Sequence, residues 1–306
     1  MSTEHPGENP GRTPIMSNPP DPAPKRPRLA LPPGATDCHI HLFGPVARYP
    51  FDAGAAYHAH DATEADYIAL QDRLGLSRAV IVHPTALGRD NSRLTDALEM
   101  HPERFRGIAV PAPGVSLDEL RRLDRLGVRG VRFTSVASYA NAPRLDTDLA
   151  ARIADLGWHA QFLLEGEELP AMAQALLDLP CPVVIDHMGR VPAGLGTDHA
   201  GFTTLLRLLD SGKVWVKLSG PMRFSAEPAM PYADTLPFAR ALVAHRPDRL
   251  VWGSDWPHIN YNQGVMPNDA DLLDMLLDWI PDAATRTRIL VDNPARLYDF
   301  PGQETP

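Results

Sequence analysis

Eight short apolar runs, each followed by a stretch of helical periodicity, constrain this chain more than any other feature of its sequence. The runs lie at about 36–41 (TDCHIH), 78–83 (RAVIVH), 105–110 (FRGIAV), 129–134 (RGVRFT), 158–163 (WHAQFL), 182–187 (PVVIDH), 214–219 (VWVKLS) and 249–254 (RLVWGS). They are rich in Val, Ile, Phe and Trp and too short to be helices, so they read as strands. Between them EADYIALQDRLG, SRLTDALEMH, SLDELRRLDRLG, DTDLAARIADLG, ELPAMAQALLDL, FTTLLRLLDSG and PFARALVAHRP place apolar side chains near i, i+3, i+4 and i+7. Gly75, Gly127, Gly157 and Gly212 stand where a left-handed residue would end a helix before the next strand. Strand and helix alternating eight times predict an α/β protein, a (β/α)8 TIM barrel over residues 35–306. A doubly wound open sheet is the competing arrangement, but eight roughly equal units favour closure.

The first 34 residues have a different texture. Pro6, Pro10, Pro14, Pro19, Pro20, Pro22, Pro24, Pro27, Pro32 and Pro33 recur among Gly, Asn and Asp. Such a segment lacks backbone donors for ladders and has little apolar surface to offset its ordering entropy, which predicts a disordered leader. Met16 is a second candidate start, and KRPR at 25–28 is a weak targeting signal. The leader has no apolar core of a signal peptide, and no stretch is long and apolar enough to span a bilayer. The two cysteines, Cys38 and Cys181, lie far apart in strand-like runs and form no disulfide framework. Together these features predict a cytoplasmic protein. A formal net charge of -9 argues against nucleic acid or an anionic membrane as the principal partner. Nothing in the sequence specifies an oligomeric state.

Barrel enzymes carry their chemistry at the C-terminal ends of strands, and here the polar residues collect at those ends. His39 and His41 close the first run, His83 and Thr85 follow the second, and Arg132 and Thr134 close the fourth. Asp186 and His187 close the sixth, Lys217 and Ser219 the seventh, and Ser254 and Asp255 the eighth. Strand alternation puts Asp37, His39 and His41 on one face and Cys38 and Ile40 on the other. One histidine at a strand end is ordinarily structural. Two in an HxH, with a third at the sixth strand and an aspartate at the eighth, point to an active site. The same four groups are also sufficient ligands for one divalent cation such as zinc or manganese. By contrast, Trp158, Trp215 and Trp252 read as packing, and NPARLY at 293–298 reads as a helix start with Asn293 as its cap.

The segments DCHIHLFGP, YHAHDAT, GRDN, GVRGVRF, VIDHMGR, VWVKLSGPMR, VWGSDWPH and VDNPARLY occur in an order and spacing that resembles the amidohydrolase-related superfamily, in the branch of 2-pyrone-4,6-dicarboxylate lactonase. The resemblance runs from about residue 35 to 300. It implies a catabolic hydrolase in which Asp255 takes a proton from water, while His39, His41 and His187 polarise a lactone carbonyl without a bound metal. It implies that Arg132 and Arg223 hold substrate carboxylates, and that Tyr57 also lines the pocket; a guanidinium fork suits such an anion. Asp255 would serve as the base if dehydration raised its pKa toward neutrality, and His258 would be a supporting or substrate contact.

The chain also departs from that branch. Ser138 stands where the lactonases have a further arginine, and Leu163 where they have a tyrosine; Arg89 is a candidate replacement for the lost charge. The expected ligand is therefore a small carboxylated lactone, with the pyrone dicarboxylate itself in question. The alternatives are a metal-dependent hydrolase or decarboxylase using His39, His41, His187 and Asp255 as ligands, or a catalytically silent barrel that binds a small acid.

Overall fold

In the computed structural model, which describes residues 13–135, 144–262 and 264–301, all eight expected strands form. They are β1 Thr36–Ile40, β2 Arg78–Val82, β3 Phe105–Ala109, β4 Val128–Thr134, β5 His159–Leu163, β6 Val183–Ile185, β7 Val214–Leu218 and β8 Leu250–Trp252. Each pairs in parallel with the next, in the order of the chain. A parallel bridge between Ile40 and Trp256 joins the first strand to the segment after the last. Two further backbone bonds complete this seam, from Asp255 N–H to His39 O at 2.9 Å and from His41 N–H to Trp256 O at 2.8 Å. The barrel is closed, as the eightfold repeat predicts.

Seven helices return the chain between strands: α1 Glu64–Leu74, α2 Ser92–Met100, α3 Leu117–Arg125, α4 Thr147–Ala154, α5 Leu169–Asp178, α6 Ala200–Asp210 and α7 Leu236–His245. Their ends follow local chemistry. Thr63 accepts from Asp66 N–H to start α1 and Gly75, at φ 83°, ends it; Ser116 and Asp146 cap α3 and α4 in the same way. Four short helices follow the last strand, α8 Asp269–Asp274, α9 Leu276–Trp279, α10 Ala283–Thr287 and α11 Asn293–Tyr298. Asn293 is not a cap as expected. A π turn over Arg288–Asp292 runs α10 into α11, and the Asn293 side-chain amide instead donates to Pro247 O and Leu250 O at the foot of β8.

The core has two parts. The larger lies between the strands and the surrounding helices and includes Ile40, Ile81, Phe105, Phe133, Trp158, Phe162 and Trp252. The smaller fills the barrel with Cys38, Val80, Val82, Ile108, Val184, Trp215 and Val251, sealed from below by Tyr298 and Phe300. Each such side chain contributes roughly 1.5–3 kcal/mol by leaving water. Trp158, Trp215 and Trp252 are packing residues, and both cysteines are buried free thiols.

Two expectations about the first part of the chain need correction. Cys38 faces the barrel interior, and Asp37 faces outward to accept from Tyr67 Oη of α1 at 3.1 Å. A bulge causes this: Asp37 pairs with Ala79 but Ile40 with Ile81, so three residues of β1 oppose two of β2. The irregularity turns His39 inward beside Cys38, which strict alternation forbids. Residues 13–34, assigned above to a disordered leader, are laid along the barrel. Ile15–Met16 pairs with Tyr57–His58, Ser17 Oγ accepts from Asn260 N–H at 2.8 Å, and Asp274 of α8 accepts from the backbone of Arg28 and Leu29. Side-chain acceptors from the body of the protein replace the ladders that the prolines deny the segment. Among the described residues no helix is long and apolar enough to cross a membrane.

Candidate active site

The site is built on the seam. His39 and His41 come from the end of β1, His187 follows β6, and Asp255 follows β8 at φ 69°. Asp255 Oδ1 lies 3.7 Å from His39 Nε2, 3.6 Å from His41 Nε2 and 3.8 Å from His187 Nε2. These four residues, expected to act together, do converge. The other oxygen is claimed by Arg223, whose Nε and Nη2 reach Oδ2 at 2.7 and 2.6 Å. Burial alone would raise the Asp255 pKa, but the Arg223 guanidinium outweighs it and holds the carboxyl well below the usual range. The expected shift toward neutrality is therefore reversed, because the arginine assigned to substrate is bound to the candidate base.

The imidazoles are held in distinct ways. His41 Nδ1–H donates to Val82 O at 2.8 Å, which leaves a lone pair on Nε2 of the neutral ring. His187 Nδ1 shares a 2.9 Å hydrogen bond with Ser219 Oγ, and burial pushes its pKa down to about 3. His39 is buried beneath both, its Nε2 without a hydrogen-bond partner, and burial with the Lys217 charge lowers its pKa well below the ordinary value. All three rings are neutral at physiological pH.

Below them lies a polar cluster. Lys217 Nζ is 2.8 Å from Gln161 Oε1, 3.3 Å from His39 Nδ1 and 3.5 Å from Asp186 Oδ1. Asp186 Oδ2 accepts from Gln161 Nε2 at 3.1 Å and meets Arg132 Nη2 at 3.5 Å. Burial raises the Asp186 pKa, but Lys217, His39 and Arg132 overcome it and keep the group ionised. Two cations flank this buried carboxylate, as the high cost of an unpaired internal charge requires.

Above the histidines opens a cavity of about 670 Å³. Of the expected residues it is lined by His41, Tyr57, Thr85, Arg132, Leu163, His187, Arg223 and Asp255; Thr85 Oγ1 lies 3.5 Å from Tyr57 Oη. His39 lies beneath the cavity rather than in its lining, and two further candidates fall elsewhere. Arg89 donates to Pro111 O at 2.8 Å and faces a neighbouring cavity, so it does not supply the missing charge. His258 is fully buried against Asp269 Oδ1 at 3.1 Å, tying the loop after β8 to α8. Ser138 lies outside the described residues. The cavity also takes residues that the sequence reading passed over, notably Ile15, Arg190, Glu227 and Asn260. Glu227 and Asn260 sit in irregular loops, and Ile15 and Arg190 in a two-residue strand and a single 3-10 turn too short to show a period; the only signal for Arg190 was its place in HMGR, read there as a turn.

Two glycines make the geometry possible. A Cβ on Gly220, at φ +57°, would lie 2.6 Å from His187 Nδ1, and one on Gly253 would lie 2.7 Å from the Cβ of His39. Side chains at either place would displace an imidazole.

His39, His187 and Asp255 each offer a ligand atom within 4.8 Å of the others. Two neutral imidazoles and a carboxylate suit zinc, and the orphaned Nε2 of His39 fits such a role. The donor set is thus compatible with a single divalent cation.

A closed (β/α)8 barrel with neutral imidazoles around an ionised aspartate at its C-terminal rim defines a hydrolytic type of centre. The chain belongs to the amidohydrolase family, whose model matches residues 36–300. It is 41% identical over 275 residues to 4-sulfomuconolactone hydrolase of Rhizobium radiobacter, covering 88% of this chain and 91% of that one. To 2-pyrone-4,6-dicarboxylate hydrolase of Comamonas testosteroni it is 39% identical over 285 residues, covering 90% and 93%. A solved structure from Pseudomonas putida, provisionally assigned as a 2-pyrone-4,6-dicarboxylic acid hydrolase, superposes with a TM-score of 0.77 at 33% identity over 89% of this chain and 100% of that chain.

Proposed function

We propose that the protein hydrolyses a small anionic lactone, with Asp255 accepting a proton from the attacking water and His39 and His187 polarising the ring carbonyl. The observation that carries this reading is the divided Asp255 carboxylate. Oδ2 is fixed by Arg223, and Oδ1 is turned to three imidazoles that are themselves aimed by Val82, Ser219 and Lys217. A water at Oδ1 would stand beside any carbonyl placed among the rings, which is the geometry that ester hydrolysis requires. The names of the relatives support cyclic esters that carry sulfonate or carboxylate groups. Arg132, Arg190 and Arg223 at the cavity suit such an anion.

The low pKa of Asp255 keeps it ionised and also makes it a weak base. A substrate anion drawing Arg223 toward itself would relieve that restraint, so that binding strengthens the base. Leu163 in place of a hydroxyl favours one anionic group over a flat dicarboxylate.

A second reading is favoured by the donor set itself. Zinc or manganese held by His39, His187 and Asp255 would supply Lewis-acid polarisation of the carbonyl. The deciding experiment screens anionic lactones for acid release, with elemental analysis before and after chelation. Turnover that survives chelation supports polarisation by the histidines. Activity lost with a stoichiometric metal and restored on its return supports the second reading. No hydrolysis of any lactone overturns the proposal.

A further inference from the structure

Lys217, which aims His39, is a fully buried lysine directly beneath that ring. Its ammonium can only donate. Three acceptors surround it: Gln161 Oε1, Asp186 Oδ1 and the Nδ1 of His39. His39 Nδ1 has a second neighbour, Asp186 Oδ1, also at 3.3 Å. The two neighbours demand opposite states of the ring. Donation from Lys217 requires a bare Nδ1 and puts the proton on Nε2, whereas a bond to Asp186 requires Nδ1–H and leaves Nε2 bare. The orientation separates them, because the approach of Lys217 to Nδ1 at 3.3 Å has the angles of a hydrogen bond, while the approach of Asp186 Oδ1 at the same distance does not.

We infer that Lys217 is a positioning residue that holds His39 in the Nε2–H form, so that His39 presents a donor to the carbonyl oxygen and is a poor ligand for a cation. His41 is held in the opposite form by Val82 O. The two histidines of the HxH thus have different tasks: His39 donates toward the reacting oxygen and His41 presents a lone pair. The inference deepens the lactonase reading, but its first test needs no substrate, so failure of a lactone screen would leave it standing.

Nitrogen chemical shifts of histidine in 15N-labelled, chelator-treated protein report the proton position in each ring, with His39 assigned by His39→Gln. The expected result is Nε2–H at His39 and Nδ1–H at His41. In Lys217→Met, His39 should move to Nδ1–H facing Asp186. Its Nε2 is then free to bind metal, and zinc affinity should rise by roughly 10- to 100-fold, the effect of losing one charge-assisted hydrogen bond. Lys217→Arg, which retains a donor, should keep the parental ring state. Nδ1–H at His39 in the parent protein overturns the inference whether or not Lys217→Met folds. So does a folded Lys217→Met with parental shifts and parental zinc affinity.

Discussion

At the scale of single residues, the candidate site holds Asp255 and its partners unequal. Arg223 depresses the Asp255 pKa, so the acid limb of kcat/KM should lie below the usual carboxylate range. Arg223→Gln should move that limb to higher pH, toward an ordinary aspartate. A limb unmoved by the change would show that another group controls it. Asp255→Asn keeps the shape but loses the acceptor, and turnover should fall by about 10²- to 10⁴-fold; near-parental turnover would rule Asp255 out as the base. Gly220→Ala should lower kcat by roughly 10- to 100-fold by pushing the His187 ring aside, and its left-handed φ should cost roughly 1–2 kcal/mol of stability as well. The convergence of His39, His41, His187 and Asp255 was legible in the sequence because polar residues at strand ends in a barrel share one rim. What surrounds them was less so. Lys217 and Asp186 were visible as polar residues at strand ends, but not their meeting beneath His39, and nothing in TDCHIH announces the bulge that turns Asp37 outward. The hold of Arg223 on Asp255 was missed for a similar reason: an arginine near an expected anion reads as a substrate contact until its distance to the base is known.

At the scale of elements, all eight strands and the seven connecting helices were readable, because burial imposes periods of two and 3.6 on the chain and glycines mark where helices stop. The segment at residues 13–18 was not, since its order comes from contacts with residues far away in sequence. Ser17 is buried by Asn260, Asn18 N–H donates to Asn262 Oδ1, and Asn262 Nδ2 donates to Met16 O. This strap brings Ile15 to the cavity, although it precedes the region matched by the family model. A chain beginning at Pro19 should therefore bind its substrate less well. Loss of part of an apolar contact, roughly 1–2 kcal/mol, corresponds to a KM higher by about 5- to 30-fold. The change in kcat should be small, because the hydrogen bonds of the strap go to Asn260 and Asn262 and not to Asp255 or the site histidines. If kcat falls and KM does not, the strap acts on the catalytic groups rather than on binding.

At the scale of the whole molecule, the barrel is closed by the residues that make the site. Asp37 is central to this. Its Oδ1 accepts from His39 N–H and from Ser254 N–H, each at 3.0 Å, and Tyr67 Oη donates to Oδ2. Burial nevertheless raises its pKa from 3.8 to about 6. A carboxyl that is less acidic when folded binds its proton more tightly in the native state, so its contribution to stability falls as pH rises from about 4 to 6. Two pKa units correspond to ~3 kcal/mol. Asp37→Asn does not titrate, so between pH 4 and pH 7 its unfolding free energy should gain on that of the parent by about that amount; parallel pH profiles from denaturant titrations would refute the assignment. The seam has a further consequence, for how the molecule is made. Asp37 and Ser254 are 217 residues apart, so the contacts that position both HxH and the aspartate are among the last that a growing chain can form. Contacts so distant in sequence close slowly. During synthesis the first strand must wait, with one edge unpaired, until the eighth leaves the ribosome, and catalytic competence should appear all at once at that moment rather than grow with the length of the nascent chain.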